Sequence, residues 1–392
     1  MKTSSQLIIA LSAVLVMLSC TEKPTPDNGG GQKTDEEQTS SVPTFTSKIY
    51  KQNSEGYPIF RIPAMVTTKK GTLLCFCEGR EAYDDFGNID VVVKRSEDMG
   101  KTWSPLTVVA DAGNDRYGNP VPVVLDDGKI LLVFGWSVHD SSMSSKILYT
   151  FSEDDGKTWS TPVEFTDQVR LSTRSIYMSG PVHGIVKQLE PHKGRIIIPL
   201  YGKTTNSRPV SVLYSDNGGT TWHHGGSVNY SIGGEPTVAE RGDGSIMINM
   251  RDGNADDPFR HQALSQDGGE TWLDPTSSAL IEPACQGALL TYDLGSAANK
   301  TVLLFSNPNH TSSRRHGSVK ISTNGGNSWK YMYQYTSDTG DSMYSSYSDI
   351  SVVKDDVIGV AFEAGYKNGQ GISFKSFHLS DIKEIYTGKN KE

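Results

Sequence analysis

Residues 152–159 read SEDDGKTW, and the pattern behind them, Ser-x-Asp-x-Gly-x-Thr-Trp, returns four more times. The other copies are SEDMGKTW at 96–103, SDNGGTTW at 215–222, SQDGGETW at 265–272 and STNGGNSW at 322–329. Five of the six tryptophans end one of these octets, so the repeat and not chance governs where tryptophan falls. Each copy follows a strand-like segment: DVVVKR, ILYTF, VSVLY, HQALS or GSVKI. A carboxylate or amide at the third position can accept hydrogen bonds from backbone N–H groups across a turn. Glycine at the fifth can take positive φ, and the tryptophan can pin the hairpin to the sheet. Asp98, Asp154 and Asp267 hold the third position, while Asn217 and Asn324 replace it. A structural acceptor permits that exchange and a catalytic acid does not, so the octets are folding devices.

The octets begin 56, 63, 50 and 57 residues apart. Short strands at a period near 50 are the mark of propeller blades, each a sheet of four antiparallel strands. About 345 residues of foldable chain divide into roughly six such units. VVLDDGKILLVF at 123–134 and VAERGDGSIMINM at 238–250 place Asp-Gly between apolar runs, as hairpins do, and no long amphipathic helix interrupts them. The expectation is an all-β chain, a six-bladed β-propeller of four-stranded antiparallel sheets in which a sixth octet is lost. Its functional residues should gather where inner strands converge, on the face opposite the octets.

Three segments partition the chain. Residues 1–19 carry Lys2, the apolar run LIIALSAVLVML and Ser19 before Cys20, the pattern of an export signal ending at a lipoprotein-type cleavage site, with Met17 where leucine is usual. Residues 20–43 are Pro, Gly, Asp, Glu, Thr and Ser with almost nothing apolar, a flexible tether. Residues 44–392 hold the propeller and leave no room for an appended domain. The protein is thus expected to be exported and anchored by lipid at Cys20 to a bacterial outer membrane, on its periplasmic side or at the cell surface. The formal net charge is −8, or −9 once Lys2 leaves with the signal, and no basic run is present, which argues against nucleic acid. An anionic ligand must then meet a local cluster of arginines. Cys75, Cys77 and Cys285 are an odd number for a disulfide framework; the first two, two apart on a strand, should pack as small apolar residues.

Several charged residues sit in surroundings suited to a core. Arg61 lies in YPIFRIPAM; Glu78, Arg80, Asp84, Asp85 and Asp90 lie in CEGREAYDDFGNIDVVV. Glu235 and Arg251 bracket GGEPTVAERGDGSIMINMRDG, Arg314 and Arg315 precede HGSVKIS, Tyr344 and Tyr347 lie in YSSYSDISVV, and Glu363 interrupts IGVAFEAGY. Buried charges must be paired, so these residues should meet one another.

FRIP, the Glu-x-Arg-x4-Asp stretch, the repeated octets, a Glu sixteen residues before an Arg, and SYSD ahead of a strand containing Glu occur in one order. Together they resemble the bacterial exo-sialidases, or neuraminidases, whose octets are called Asp-boxes, over essentially everything from Thr44 onward. The resemblance implies an exo-α-sialidase, a retaining glycoside hydrolase that releases terminal sialic acid from glycoproteins, gangliosides and oligosaccharides. It implies a clamp of Arg61, Arg251 and Arg314 on the sugar carboxylate, with Arg315 the alternative third member, and Glu363 orienting Arg61. Planar guanidiniums suit that anion because they bind a carboxylate bidentately. Tyr347 matches the nucleophile and Glu235 its base; a neutral tyrosine avoids the repulsion a carboxylate would meet, and sialidases are the tyrosine exception among retaining glycosidases. Asp85 matches the acid/base, preferred to Asp84 by its spacing from Arg80. That role predicts a pKa raised by burial or by the substrate's charge. Arg80 matches a contact to the substrate's hydroxyl edge or a brace for Asp85, and Asp90 and Glu78 read as structural or as supports behind the residues that touch substrate. No metal or other cofactor is expected: the nine histidines show no paired ligand spacing, and no phosphate or dinucleotide loop is present. Trans-sialidases, intramolecular sialidases and non-catalytic Asp-box propellers that bind glycans or proteins share much of this pattern, and linkage preference is not written in it.

Overall fold

The computed structural model describes residues 42–139, 145–172, 176–253, 257–293, 301–365 and 371–384. The signal and nearly all of the tether lie outside the described residues. Val42 packs on the cluster that contains Ile49, Phe60 and Phe374.

The chain is all-β, a β-propeller arrangement of antiparallel sheets; among the described residues the one α-helix is the single turn Thr166–Val169. The strands that begin successive runs of hairpins lie side by side. Ile59–Thr67 neighbours Arg116–Val124, Gly233–Glu240 neighbours Ala288–Asp293, and Ser345–Lys354 returns to Ile59–Thr67. Each sheet then runs outward by hairpins. The N-terminal strand Thr46–Lys51 pairs with Gly371–His378 near the C-terminus, so the last sheet is built from both ends of the domain.

Hydrogen bonding yields five sheets and not six separate ones. Four have four or five strands, and the fifth has eight. The eight-stranded sheet arises because Ile89, at the start of Ile89–Ser96, pairs in parallel with Arg116, at the start of Arg116–Val124.

The octets behave as their chemistry requires. The third-position oxygen accepts the N–H four residues on in every copy, at 2.9 Å for Asp98–Thr102, Asn217–Thr221, Asp267–Thr271 and Asn324–Ser328 and 2.8 Å for Asp154–Thr158. The fifth-position glycine has φ between 78° and 96° throughout. The first-position serine is a second device, its hydroxyl accepting that glycine's N–H at 2.7–3.0 Å. What the octet grips differs from expectation: it docks on the neighbouring sheet, not only its own. A side chain added at Gly100, Gly219, Gly269 or Gly326 would press on Phe374, Phe151, Val212 or Met247 of the preceding sheet, and one at Gly156 on Leu74 in the other half of the eight-stranded sheet. Trp103 stacks edge-on with Phe374 and Trp159 with Phe76. Where a sixth copy would fall, Phe377 stacks on Tyr333 at 4.2 Å and Lys383–Glu384 pairs with Tyr331–Gln334 of the sheet before it.

Register fixes which end of the sheets is free for chemistry. In the first sheet Thr67, Leu73 and Ser96 share the octet end, whereas Ile59, Arg80 and Ile89 share the other. Cys75 and Cys77 are buried and free on the strand Leu73–Arg80, and Cys285 is likewise buried and free.

Candidate active site

Three first strands each place a predicted residue at their third position: Arg61 in Ile59–Thr67, Glu235 in Gly233–Glu240 and Tyr347 in Ser345–Lys354. A register shift lies at each, between Arg61 and Ala64, Gly234 and Thr237, and Ser345 and Ser348. An extra residue in one strand of a pair bends that strand and re-aims its side chains. The bend carries strain, since Ile62 has φ 60° and Glu235 φ 33°, values that cost non-glycine residues energy and that concentrate at functional sites.

These bulges bring the predicted residues together. The Tyr347 hydroxyl donates a hydrogen bond to Glu235 Oε1. Arg251 Nη1 donates to Glu235 Oε2 at 2.7 Å and lies 3.3 Å from the Tyr347 oxygen. The guanidiniums of Arg61 and Arg314 stand 5.4 and 5.5 Å from the Tyr347 ring centre. Thus side chains from four sheets converge on one phenol. Burial, reinforced by the charge of Glu235, pushes the Tyr347 pKa well above its ordinary value, so the hydroxyl is protonated at rest.

Arg61 is 8 % exposed and held by Glu363, whose oxygens accept its Nε at 3.1 Å and Nη2 at 3.4 Å; Glu363 Oε1 also accepts the N–H of Ile62 at 2.9 Å. Burial alone would lower the Arg61 pKa, but the Glu363 carboxylate outweighs it and the guanidinium stays charged. Burial would likewise raise Glu363, yet Arg61 and the Ile62 amide hold its carboxyl below the usual range. Arg314 Nη1 bonds Ser346 Oγ at 3.0 Å and its Nη2 the Ala284 carbonyl at 3.3 Å, facing Tyr347. Arg315 is spent elsewhere, on His310 Nε2 at 2.7 Å and in a backbone bridge to Tyr344.

Asp85 departs from expectation. Its pKa is lowered, not raised. Burial acts upward, but Arg80 Nη1 at 2.8 Å, Arg61 Nη1 at 3.7 Å and nearby Arg116 together stabilise the carboxylate. Burial is the largest single influence, yet the three cations together outweigh it, and the side chain is still 62 % exposed. Asp84 serves the loop, its Oδ1 accepting the amides of Phe86 and Gly87. Arg80 is engaged within the protein: Nε and Nη2 face Glu78, and Nη1 holds Asp85 and the Tyr83 and Asp84 carbonyls. Glu78 also accepts the Asn119 amide at 2.8 Å and borders the cavity, and Asp90 accepts Tyr57 and Ala112.

Two features escaped the sequence reading. Asp349, the last letter of SYSD, is fully buried and accepts the amides of Met65 and His183 and the His183 ring Nδ1 at 2.7–3.0 Å, which ties the strand of Tyr347 to its neighbours. Asn119 repeats the geometry of Ile62 and Glu235, with φ 55°, a bulge and a following proline. The signal was there: a bulge residue before proline recurs as Ile62-Pro63, Asn119-Pro120 and Glu235-Pro236. Beside Tyr347 and Glu235 a cavity of about 460 Å³ opens, lined also by Arg80, Asn119, Tyr201 and Arg251.

A phenol paired with a carboxylate and ringed by guanidiniums suits attack on a carbon that bears an anion. Comparison with known proteins gives the family. Residues 71–360 match the BNR repeat-like domain. An exo-alpha-sialidase of Aspergillus fumigatus is 30 % identical over 83 % of this chain and 86 % of its own. The chain belongs to the sialidase family. A Bacteroides fragilis sialidase is 32 % identical over 82 % of this chain, which spans 62 % of that relative's length. A solved Hadza microbial sialidase superposes with a TM-score of 0.74 at 28 % identity, covering 83 % of this sialidase-family chain and 67 % of the other.

Proposed function

We propose that this protein is an exo-α-sialidase that hydrolyses terminal sialic acid from glycoconjugates with retention, using Tyr347 as nucleophile. The observation that carries the reading is the Tyr347–Glu235 hydrogen bond set among Arg61, Arg251 and Arg314. Those three guanidiniums receive the sugar carboxylate and hold the anomeric carbon against the phenol. Asp85 gives a proton to the glycosidic oxygen as its bond to the anomeric carbon breaks. Tyr347 oxygen bonds to that carbon from the opposite face while its proton passes to Glu235 Oε1, an attack by a neutral hydroxyl. Water then attacks the same carbon, its proton goes to Asp85, and Glu235 returns a proton to the departing Tyr347 oxygen. Glu363 keeps Arg61 aimed and charged. Arg80 borders the cavity toward the substrate hydroxyls and tethers the loop of Asp85.

The test is release of fluorophore from 4-methylumbelliferyl sialoside. Tyr347→Phe should lose about 10³-fold in kcat, the scale on which removing a catalytic group acts. Full activity in that variant would refute the nucleophile, and no hydrolysis by the unaltered protein would refute the enzyme.

Six blades is the count we assign to the ring. It is supported by the single parallel pairing at Ile89 and Arg116, across which the eight-stranded sheet divides into two four-stranded halves. We further assign Cys20 as a lipidated anchor after export, on the pattern before it; palmitate labelling that survives Cys20→Ser would sink that assignment.

A further inference from the structure

The loop 81–88 carries Asp85 between two exposed aromatic rings, Tyr83 at 39 % and Phe86 at 45 % exposure. Phe86 lines the cavity together with Asp85, Arg80 and Arg116. It is also firmly built. Arg80, 1 % exposed, bonds the carbonyls of Tyr83 and Asp84 and the Asp85 carboxylate; Asp84 closes the turn onto the Phe86 and Gly87 amides; Arg116 donates to the Asp85 carbonyl. Each ring has one cation on it, Arg61 at 5.0 Å from the Tyr83 centre and Arg116 at 6.0 Å from that of Phe86. The rings are therefore held in place while much of their surface stays in water.

We propose that Tyr83 and Phe86 form a platform for the leaving group, taking the apolar C–H face of the first sugar of the aglycone. This rests on the reading of Asp85 as the acid. Whatever accepts a proton from Asp85 must lie within hydrogen-bond reach of it, and the aglycone begins at that oxygen. Phe86 shares the cavity wall with Asp85, and Tyr83 lies two residues before Asp85 on the same loop, against Arg61. The apolar face of a pyranose buries well against an aromatic ring, and its hydroxyls remain free for water. The substrate class is then sialosides whose second residue is a neutral pyranose, over those with a small alcohol as leaving group.

The test compares hydrolysis of 3′-sialyllactose with that of methyl α-sialoside, by release of sialic acid. The unaltered protein should show a higher kcat/KM for sialyllactose. In Phe86→Ala, and separately in Tyr83→Ala, the ratio of the two kcat/KM values should fall about fivefold to tenfold, the scale of one aromatic contact. Phe86→Tyr, which keeps the ring, should restore it. A ratio unmoved in both alanine variants, or one that falls equally in Phe86→Tyr, would overturn the platform while leaving the sialidase reading intact. Failure of the unaltered protein on both substrates would instead remove that reading, and this subsite with it.

Discussion

Glu363→Gln should weaken the protein by about 2–3 kcal/mol at neutral pH and raise KM about tenfold, and the structure says why. Glu363 is buried, and its two oxygens accept three hydrogen bonds, two from Arg61 and one from the Ile62 amide. Gln preserves shape but has one acceptor oxygen, and its NH₂ turns toward a guanidinium. Bonds to charged groups contribute about 1.5–3 kcal/mol, and breaking a buried ion pair outright costs about 3–5 kcal/mol, so the isosteric change falls at or below the lower figure. The nearest other anion for Arg61 is Asp85 at 3.7 Å, toward which the freed guanidinium should swing, away from its aim on the Tyr347 side. The effect has a pH signature. Because the folded-state pKa of Glu363 is depressed, its stabilisation is complete above the ordinary carboxylate pKa of about 4.3 and is lost as pH falls through the lower folded value. Urea unfolding of both proteins from pH 7 downward measures this directly. The gap between them should hold to about pH 5 and close only in stronger acid, where protonated Glu363 comes to resemble Gln. A gap that is absent, or constant down to the acid limit, would refute the reasoning.

Gly100→Ala should destabilise far more than Gly71→Ala. Both have positive φ, near 87° and 83°, but the added methyl at Gly100 enters the Phe374 ring while at Gly71 nothing lies within 4 Å. Gly71→Ala should cost about 1–2 kcal/mol of backbone strain alone, and equal melting temperatures for the two variants would deny the octet its grip on the C-terminal sheet. Lys320 is buried against Asn307 Oδ1 at 3.0 Å; burial, with Arg260 nearby, lowers its pKa to about 7. The folded state therefore sheds this proton before the unfolded state does, so stability should rise between pH 7 and about pH 10, and Lys320→Met should abolish that rise in thermal melts. A slope unchanged in the variant would clear Lys320 of it. For Asp85, the apparent pKa on the alkaline side should be higher in kcat than in kcat/KM, because the substrate carboxylate occupies Arg61, one of the three arginines that hold the free enzyme's Asp85 ionised. Equal values would mean that Asp85 is not the acid.

How far the sequence could be read depended on whether a feature repeats and whether it is local. The octets do both: each is a closed unit whose serine, aspartate or asparagine, and glycine bond one another within eight residues, so five imperfect copies disclosed an all-β ring. The partner of each octet was not legible, because Phe374 lies far along the chain from Gly100 and reaches it only when the ends of the domain close on one another. The site shows the same division. Arg61, Glu235, Arg251, Tyr347 and Glu363 stood out as charged or phenolic groups in apolar strands, and buried charges seek one another. Asp349 did not stand out, since an aspartate after a serine at a strand start looks solvated until Met65 and His183 arrive from two other segments.

Asp85 is where local reasoning gave the opposite sign. Spacing from Arg80 picked the residue, and its chemical role then suggested a raised pKa. Proximity decides otherwise: Arg61 and Arg116, from strands on either side, join Arg80 around an exposed carboxylate, and three positive charges favour ionisation. Of these three, Arg61 is shared with the clamp proposed for an anionic sugar. A carboxylate drawn to Arg61 competes with Asp85 for it and weakens one of the three forces that keep Asp85 ionised. Substrate charge and proton uptake are coupled through one side chain, so a sialoside should bind with uptake of a proton where a neutral sugar of equal size should not. Calorimetry in buffers of different ionisation enthalpy would detect that proton, and its absence with Tyr347→Phe, which keeps all three arginines, would break the coupling.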